Sequence, residues 1–476
     1  MAAVLDEELP HLTALGLARA IRTGRVTARR ALEVLLRRVA ELNHTVNAVV
    51  VLDAERARRR ADAADAALAR GETWGPLHGV PCTVKDNLDV AGLPTCVGFP
   101  EHRDRIAPRS EVIIGRLLGA GAVVFGKTNT PLGAMDVQSF NAVYGSTSNP
   151  WDALRTPGGS SGGSAAALAC AFTPLEVGSD VGGSIRIPAA FCGVYGHKPT
   201  YALLPRRGPH TSAPPPEISV IGPMARCPED LAATFEILAG EDHRIASRGW
   251  KLQLPRPAKS SLADYRVAVW ADDEVCPVDD ELRAAADAVA RGLEEAGASV
   301  DRRARPRGFD PAANVQMYIS LTAVNRVMEA EDVGGRASLK DYVAAQQERE
   351  RARDAWESFF EEFDVLICPS YPTPAFLKDE ADVPMVSKRV KIVRDGKEAE
   401  LSYVKALFWA VLTNTAWLPS TTFPCGVGPR SGLPLGLNVV SREYNDLICI
   451  DFARLLKQRC GFGFQAPPGF GRRAKL

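Results

Sequence analysis

No part of the chain approaches the ~18 consecutive apolar residues of a membrane-spanning helix, so no membrane span is expected. Charge imbalance is missing too: lysine plus arginine and aspartate plus glutamate each number 57. That removes the electrostatic footprint of a nucleic-acid binder. Arginine-rich stretches such as Ala54 to Arg70 interleave acids, the pattern of a solvated helical face. The ten cysteines form no C-x-x-C pair and no Cys/His group at zinc-ligand spacing. Buried free thiols, a reducing cytoplasmic setting and no metal are therefore expected. MAAVLDEELP carries early acids and no apolar segment, so no secretory signal is expected. Neither G-x-x-x-x-G-K-[ST] nor a G-x-G-x-x-G after a clear strand is present, so no phosphate or nucleotide cofactor is expected. None of the seven histidines stands beside a nucleophile elbow, and no G-x-S-x-G lies in its α/β-hydrolase setting. His197, close in sequence to the serine-rich stretch, reads as structural.

What the chain does hold is concentrated in Thr156 to Pro188. One glycine-serine cluster runs Gly158-Gly159-Ser160-Ser161-Gly162-Gly163-Ser164. A second runs Gly178-Ser179-Asp180-Val181-Gly182-Gly183-Ser184-Ile185-Arg186. The Ala-rich run Ser164 to Ala171 between them reads as a short buried helix, which argues against a flexible linker. A serine hydroxyl among free backbone amides suits a nucleophile beside an oxyanion hole. Upstream, Gly79-Val80-Pro81-Cys82-Thr83-Val84-Lys85 reads as a strand whose lysine is either drawn inward, which is seldom seen, or snorkels from the strand end to solvent, the reading the residues alone favour.

These motifs, with Phe125 to Pro150 and Gly432 to Leu437, resemble the amidase signature family over roughly Leu12 to Phe464. The resemblance implies a serine–serine–lysine triad: Ser184 as nucleophile, Ser160 as the bridging serine on a cis peptide bond, and Lys85 as base. It implies an oxyanion hole from the amides of Val181, Gly182, Gly183 and Ser184. Neutral Lys85 would take a proton through Ser160 from Ser184, and burial favours the neutral form. Asp180 and Arg186 read as an internal ion pair, with Ser161 and Ser179 as hydrogen-bonding supports. Asp136, Ser139 and Asn141 are candidates to border the pocket.

The implied activity is hydrolysis of carboxamide C–N bonds through an acyl-enzyme, on a hydrophobic or aryl substrate. Carbamate or aryl ester cleavage is the near alternative. The A subunit of a glutamine-dependent aminoacyl-tRNA amidotransferase is a further one, disfavoured because Ile187 follows Arg186 where that subunit usually has glutamine. The expected partner is a small amide or carbamate substrate, without nucleic acid or membrane, the chain being monomer or homodimer. The expected fold is α/β, a central mixed β-sheet covered by helices on both faces. One domain is expected over residues 1–476. Within it lie a helical brace over about 12–70, a core over about 75–230 and a substrate-shaping region over about 205–420. Pro205 to Ile218, Met317 to Asn325 and Lys405 to Thr415 are the candidate pocket segments; Tyr318, Phe408 and Trp409 there suit either an aromatic or hydrophobic substrate or ordinary core packing.

Overall fold

The computed structural model describes residues 3–205, 217–241, 249, 251–329, 338–381, 383 and 385–471, and from 323 to 329 the backbone course only. Helices α1 (Ala14–Arg22) and α2 (Ala28–Leu42) each start at a threonine whose hydroxyl accepts a first-turn amide, Thr13 from Gly16 and Thr27 from Arg30, both at 3.0 Å. Other first-turn amides reach carboxylates elsewhere in the chain. Asp230 accepts from Ala14 and Leu15 at 2.6 and 2.9 Å, and Asp65 from Ala28 and Arg29 at 2.7 and 3.0 Å. A carboxylate there satisfies orphan N–H groups and complements the positive end of the helix dipole. The stripe Leu17, Ile21, Leu32, Leu35 and Val39 is buried in the main core.

The brace is not purely helical. Strand β1 (Val49–Leu52) precedes α3 (Ala54–Ala69) and pairs antiparallel with β3 (Val123–Thr128). β3 in turn pairs in parallel with β2 (Pro81–Lys85), whose residues are all buried. Helix α4 (Val112–Gly119) lies between β2 and β3 in the chain, with Glu111 at its N-cap position. A short ribbon, β4 (Phe140–Asn141) with β5 (Gly145–Ser146), follows.

Next come helix α5 (Gly162–Ala169), strand β6 (Leu175–Asp180), helix α6 (Arg186–Cys192) and strands β7 (Tyr195–Lys198) and β8 (Val220–Ala225). Helix α7 (Pro228–Leu238), strand β9 (Arg266–Val269), helix α8 (Asp280–Glu295) and strand β10 (Ser299–Asp301) continue the chain. Two long helices, α9 (Pro311–Glu329) and α10 (Leu339–Glu362), lead to β11 (Val365–Pro369). The hairpin β12 (Arg389–Arg394) and β13 (Lys397–Ser402) turns at Asp395-Gly396 as expected. Helix α11 (Phe408–Thr415), strands β14 (Ser420–Val427) and β15 (Pro434–Val440) and helix α12 (Asp446–Cys460) close it.

The large sheet has eight strands in the order β10-β9-β11-β15-β14-β7-β8-β6. β10, β9 and β11 run parallel, and every later pairing is antiparallel. Helices α5 and α6 pack together on one face, and α7, α8 and α12 pack together on the other. This is the mixed α/β architecture expected. Strands β6 and β8 are built from residues rich in glycine, proline and serine, all of them buried. Their glycines serve close approach: a Cβ on Gly178 would lie 2.8 Å from Ser161 Oγ. The proline-rich segment centred on Pro214-Pro215-Pro216 lies outside the described residues.

Phe408 and Trp409 take the core-packing alternative. Both are fully buried, and the Trp409 indole donates to the Cys276 carbonyl at 3.1 Å. Their rings pack edge-on against Trp270, which Arg305 covers at 4.7 Å. Nine cysteines are buried and Cys460 is half-buried, all as free thiols. Among the described residues, no helix is long and apolar enough to cross a membrane.

His197 is structural, as read. Its Nε2 lies 3.0 Å from Asp446 Oδ1 and its Nδ1 2.9 Å from Thr421 Oγ1. Burial lowers its pKa against the opposing pull of Asp446. The same carboxylate accepts from Thr200 N and Oγ1 at 2.8 and 2.7 Å, tying the end of β7 to the start of α12. Asp446→Ala strands three buried donors, each costing about 1–3 kcal/mol when unsatisfied. Urea denaturation is expected to show a loss of at least ~3 kcal/mol.

Candidate active site

The two glycine-serine clusters meet because neither has room for side chains. A Cβ on Gly158, at φ +85°, would lie 2.6 Å from the Pro188 Cα, and one on Gly183, at φ +105°, 2.6 Å from Ile187 Cδ1 and 2.7 Å from the Ala410 Cβ. Such contacts are closer than packed atoms tolerate. The loops are then stitched directly: the Ser161 amide donates to the Ser184 carbonyl at 3.0 Å, and the Ser161 hydroxyl to the Ser179 carbonyl at 3.4 Å. Ser139 braces the first cluster, donating to the Gly158 carbonyl and accepting from the Gly162 amide. The Gly159–Ser160 peptide bond is cis.

Lys85 arrives at the end of β2, which runs beside β6. It is fully buried, with Nζ 2.6 Å from Ser160 Oγ and 3.0 Å from Ser179 Oγ. Asn87 also donates to Ser179 Oγ, at 2.8 Å. Ser160 is buried, while Ser184 keeps part of its surface accessible. The geometry therefore grades access: an enclosed lysine, an enclosed serine, and a reachable serine on the adjoining loop. Asn87 was missed in sequence, where nothing in its spacing distinguishes it from loop asparagines.

Asp180 and Arg186 form the expected pair. Nη2 and Nε of Arg186 lie 2.9 and 3.0 Å from the carboxylate, both side chains being fully buried. Asp180 also accepts from the Gly183 and Ile185 amides and from Asn414. Burial alone would raise the Asp180 pKa, but Arg186, Asn414 and the Gly183 amide outweigh it and hold the pKa well below the carboxylate range. The Gly183 amide, one of the expected oxyanion donors, donates to Asp180 at 2.8 Å. Arg186 also reaches the Ala410 carbonyl, Thr413 and Asn414, so helix α11 holds the loop in place.

Beneath Lys85, Thr83 donates to Glu176, whose carboxyl burial pushes up to about 7. Glu176 and its neighbours Thr128 and Ser164 are buried polar groups that no sequence motif announced. Of the loop candidates, Ser139 and Asn141 are buried supports, Asn141 bonding Asn129 and the Thr130 carbonyl. Asp136 is half-buried beside Gly159 and accepts from the Tyr403 hydroxyl. Tyr318 of α9 lays its phenol against Gly182 and joins the two apolar clusters flanking the loop.

Residues 30–334 and 321–450 match the amidase family, and the chain belongs to it. The fold places it with the amidase signature enzymes. Among curated relatives, the A subunit of glutamyl-tRNA(Gln) amidotransferase from Synechococcus sp. (strain JA-2-3B'a(2-13)) is 32% identical, covering 95% of this chain and 94% of that one. A solved structure called "Crystal structure of amidase" is 29% identical with a TM-score of 0.78, covering 94% of this chain and 100% of the other. A structure from a vestigial protein complex, bearing on the origins of an s-triazine catabolic enzyme, is 28% identical with a TM-score of 0.81, covering 95% and 99%. A bacterial aryl acylamidase shares the fold at a TM-score of 0.81 and 24% identity, covering 94% and 96%.

A carboxyl with a depressed folded-state pKa stabilises the fold above its unfolded value of ~3.9, and that stabilisation is lost as pH falls through the folded value. Asp180→Asn is expected to lose about 3–5 kcal/mol near neutral pH by leaving Arg186 buried and unpaired. Its stability is also expected to fall less steeply than that of the wild type below about pH 4. Urea midpoints across an acid pH series read both effects.

Proposed function

We propose that this chain is a serine amidohydrolase that cleaves carboxamide C–N bonds through a Ser184–Ser160–Lys85 relay and an acyl-enzyme. The observation that carries the reading is the 2.6 Å contact of Lys85 Nζ with Ser160 Oγ, inside a loop stitched to Ser184. A serine hydroxyl is a weak nucleophile until an adjacent base takes its proton. Neutral Lys85 accepts the Ser160 proton while Ser160 accepts that of Ser184, whose Oγ attacks the carbonyl carbon. The amides of Val181, Gly182 and Ser184 stabilise the oxyanion. The proton returns through Ser160 to the leaving nitrogen, the C–N bond breaks, and water repeats the sequence on the ester. Ser179 and Asn87 hold the lysine at a fixed position throughout.

The substrate side of the loop supports an apolar or aryl acyl group. Val181 and Tyr318 join an apolar cluster with Ile218, Met317 and Leu321. A carbamate presents the same carbonyl to the same loop and is the near alternative. A second reading, the A subunit of a tRNA-dependent amidotransferase, is favoured by the curated relatives, which are 29–33% identical to this chain. Against it stands Ile187, buried in an apolar cluster beside Ala410 where the glutamine usual in that subunit would stand.

A fluorophosphonate is expected to label wild-type protein and Ser160→Ala, but not Ser184→Ala; labelling of the last would overturn the nucleophile assignment. Lys85→Ala is expected to lose several orders of magnitude in kcat/KM while staying folded. The wild-type kcat/KM is expected to fall as pH is lowered and the base takes up a proton. An anilide hydrolysed by the isolated chain supports stand-alone amidase action. Turnover that needs glutamine, charged tRNA and partner subunits would establish the second reading instead.

A further inference from the structure

Away from the serine loops, helix α3 carries three arginines, at 56, 59 and 60, on one helical face with Ala63, at i, i+3, i+4 and i+7. The buried stripe of the helix is Ala57, Ala61, Ala64 and Ala67, so the arginine face is turned toward solvent; it borders a cavity of about 410 Å³, within the range of small-molecule sites. Its other walls include Trp74, Val90 and Leu118. Among the described residues, no aspartate or glutamate lines it.

The three guanidinium groups are unequally satisfied. Arg56 pairs with Asp53 at 3.2 Å and also donates to the Ala91 carbonyl. Arg60 donates to the carbonyls of Ala122 and Leu118 at 2.8 and 2.6 Å and lies 4.9 Å over the Trp74 ring. Carbonyls and a π-face stabilise a cation without neutralising it. Burial lowers the Arg60 pKa, although a guanidinium stays charged under all ordinary conditions. Arg59 is exposed and makes no hydrogen bond or ion pair among the described residues. One carboxylate therefore faces three cations, over a floor that is aromatic and aliphatic.

We infer that this cavity is a second, non-catalytic binding site for an organic carboxylate with an aryl or branched apolar body. The planar fork of Arg59 matches a carboxylate bidentately, while Trp74, Val90 and Leu118 take the apolar part. An aliphatic cation has no counter-charge here, and a neutral amide would leave the excess positive charge uncompensated. The inference does not rest on the catalytic relay.

The test titrates sodium phenylacetate into the full chain with its active serine blocked by a fluorophosphonate, following tryptophan fluorescence and heat. Saturable binding is expected, with most of the fluorescence change lost in Trp74→Phe while the heat remains. Arg59→Ala, a surface change that leaves the fold intact, is expected to weaken binding roughly ten- to hundredfold, the worth of a charge-assisted hydrogen bond. Phenylacetamide, of the same shape without the charge, is expected to bind more weakly by a similar factor. Unchanged affinity in Arg59→Ala would overturn the inference, as would phenylacetamide binding as tightly as phenylacetate or the absence of saturable heat. Because Arg59 is remote from Ser184, the comparison with Arg59→Ala reports this cavity even if the serine resists labelling.

Discussion

The buried pair of Asp180 and Arg186 is the constraint on which the site depends. Placing two charges where water cannot reach them costs several kcal/mol per ion unless every donor and acceptor is matched. Here the matching partners are the structure itself: the Gly183 and Ile185 amides on one side, and the Ala410 carbonyl, Thr413 and Asn414 on the other. The turn carrying Ser184 is thus fixed from within by Asp180 and from outside by helix α11. That helix is anchored in its turn by Trp409, packed into the aromatic core around Trp270. A change at the indole can therefore reach the Ser184 turn through rigid elements alone.

The interior solves the burial of lysine in three ways. Lys127 meets Asp86 at 3.1 Å and adds two carbonyls and the Thr95 hydroxyl. Lys198 donates to the Pro199 carbonyl, and burial with nearby Arg186 brings it down to about 7. Lys85 has two serine hydroxyls within hydrogen-bonding reach. The first arrangement locks a charge, whereas hydroxyls can give or accept protons, so the same residue type is structural in one strand and suited to proton transfer in the next.

Much of this was legible from residue order. Long amphipathic helices such as α8 and α10, and the hairpin at Asp395-Gly396, declare themselves by period and turn chemistry. The serine clusters and the lysine strand carry an ordered pattern that resembles one family. Less legible were β6 and β8, whose glycine, proline and serine mimic loop composition although the strands lie inside the sheet. Phe408 and Trp409 stayed open between two readings: an aromatic pair has the same composition in a pocket wall as in a core, and only tertiary packing separates them. The use of the Gly183 amide by Asp180 could not be read either, since a backbone donor has no signature in sequence. Glu176 and Asn87 act through long-range contacts that no local motif encodes.

The distant caps of the first helices have a temporal meaning. Asp230, which accepts the leading amides of α1, is 216 residues away in the chain. At ordinary synthesis rates of about 5–20 residues per second, roughly 10–40 s separate the emergence of α1 from that of its cap. Through that interval the first helices leave the ribosome without the surface their apolar stripe is made for. Helix α1 is thus made well before it is secured, and it waits as a partly unsatisfied element within reach of chaperones and proteases.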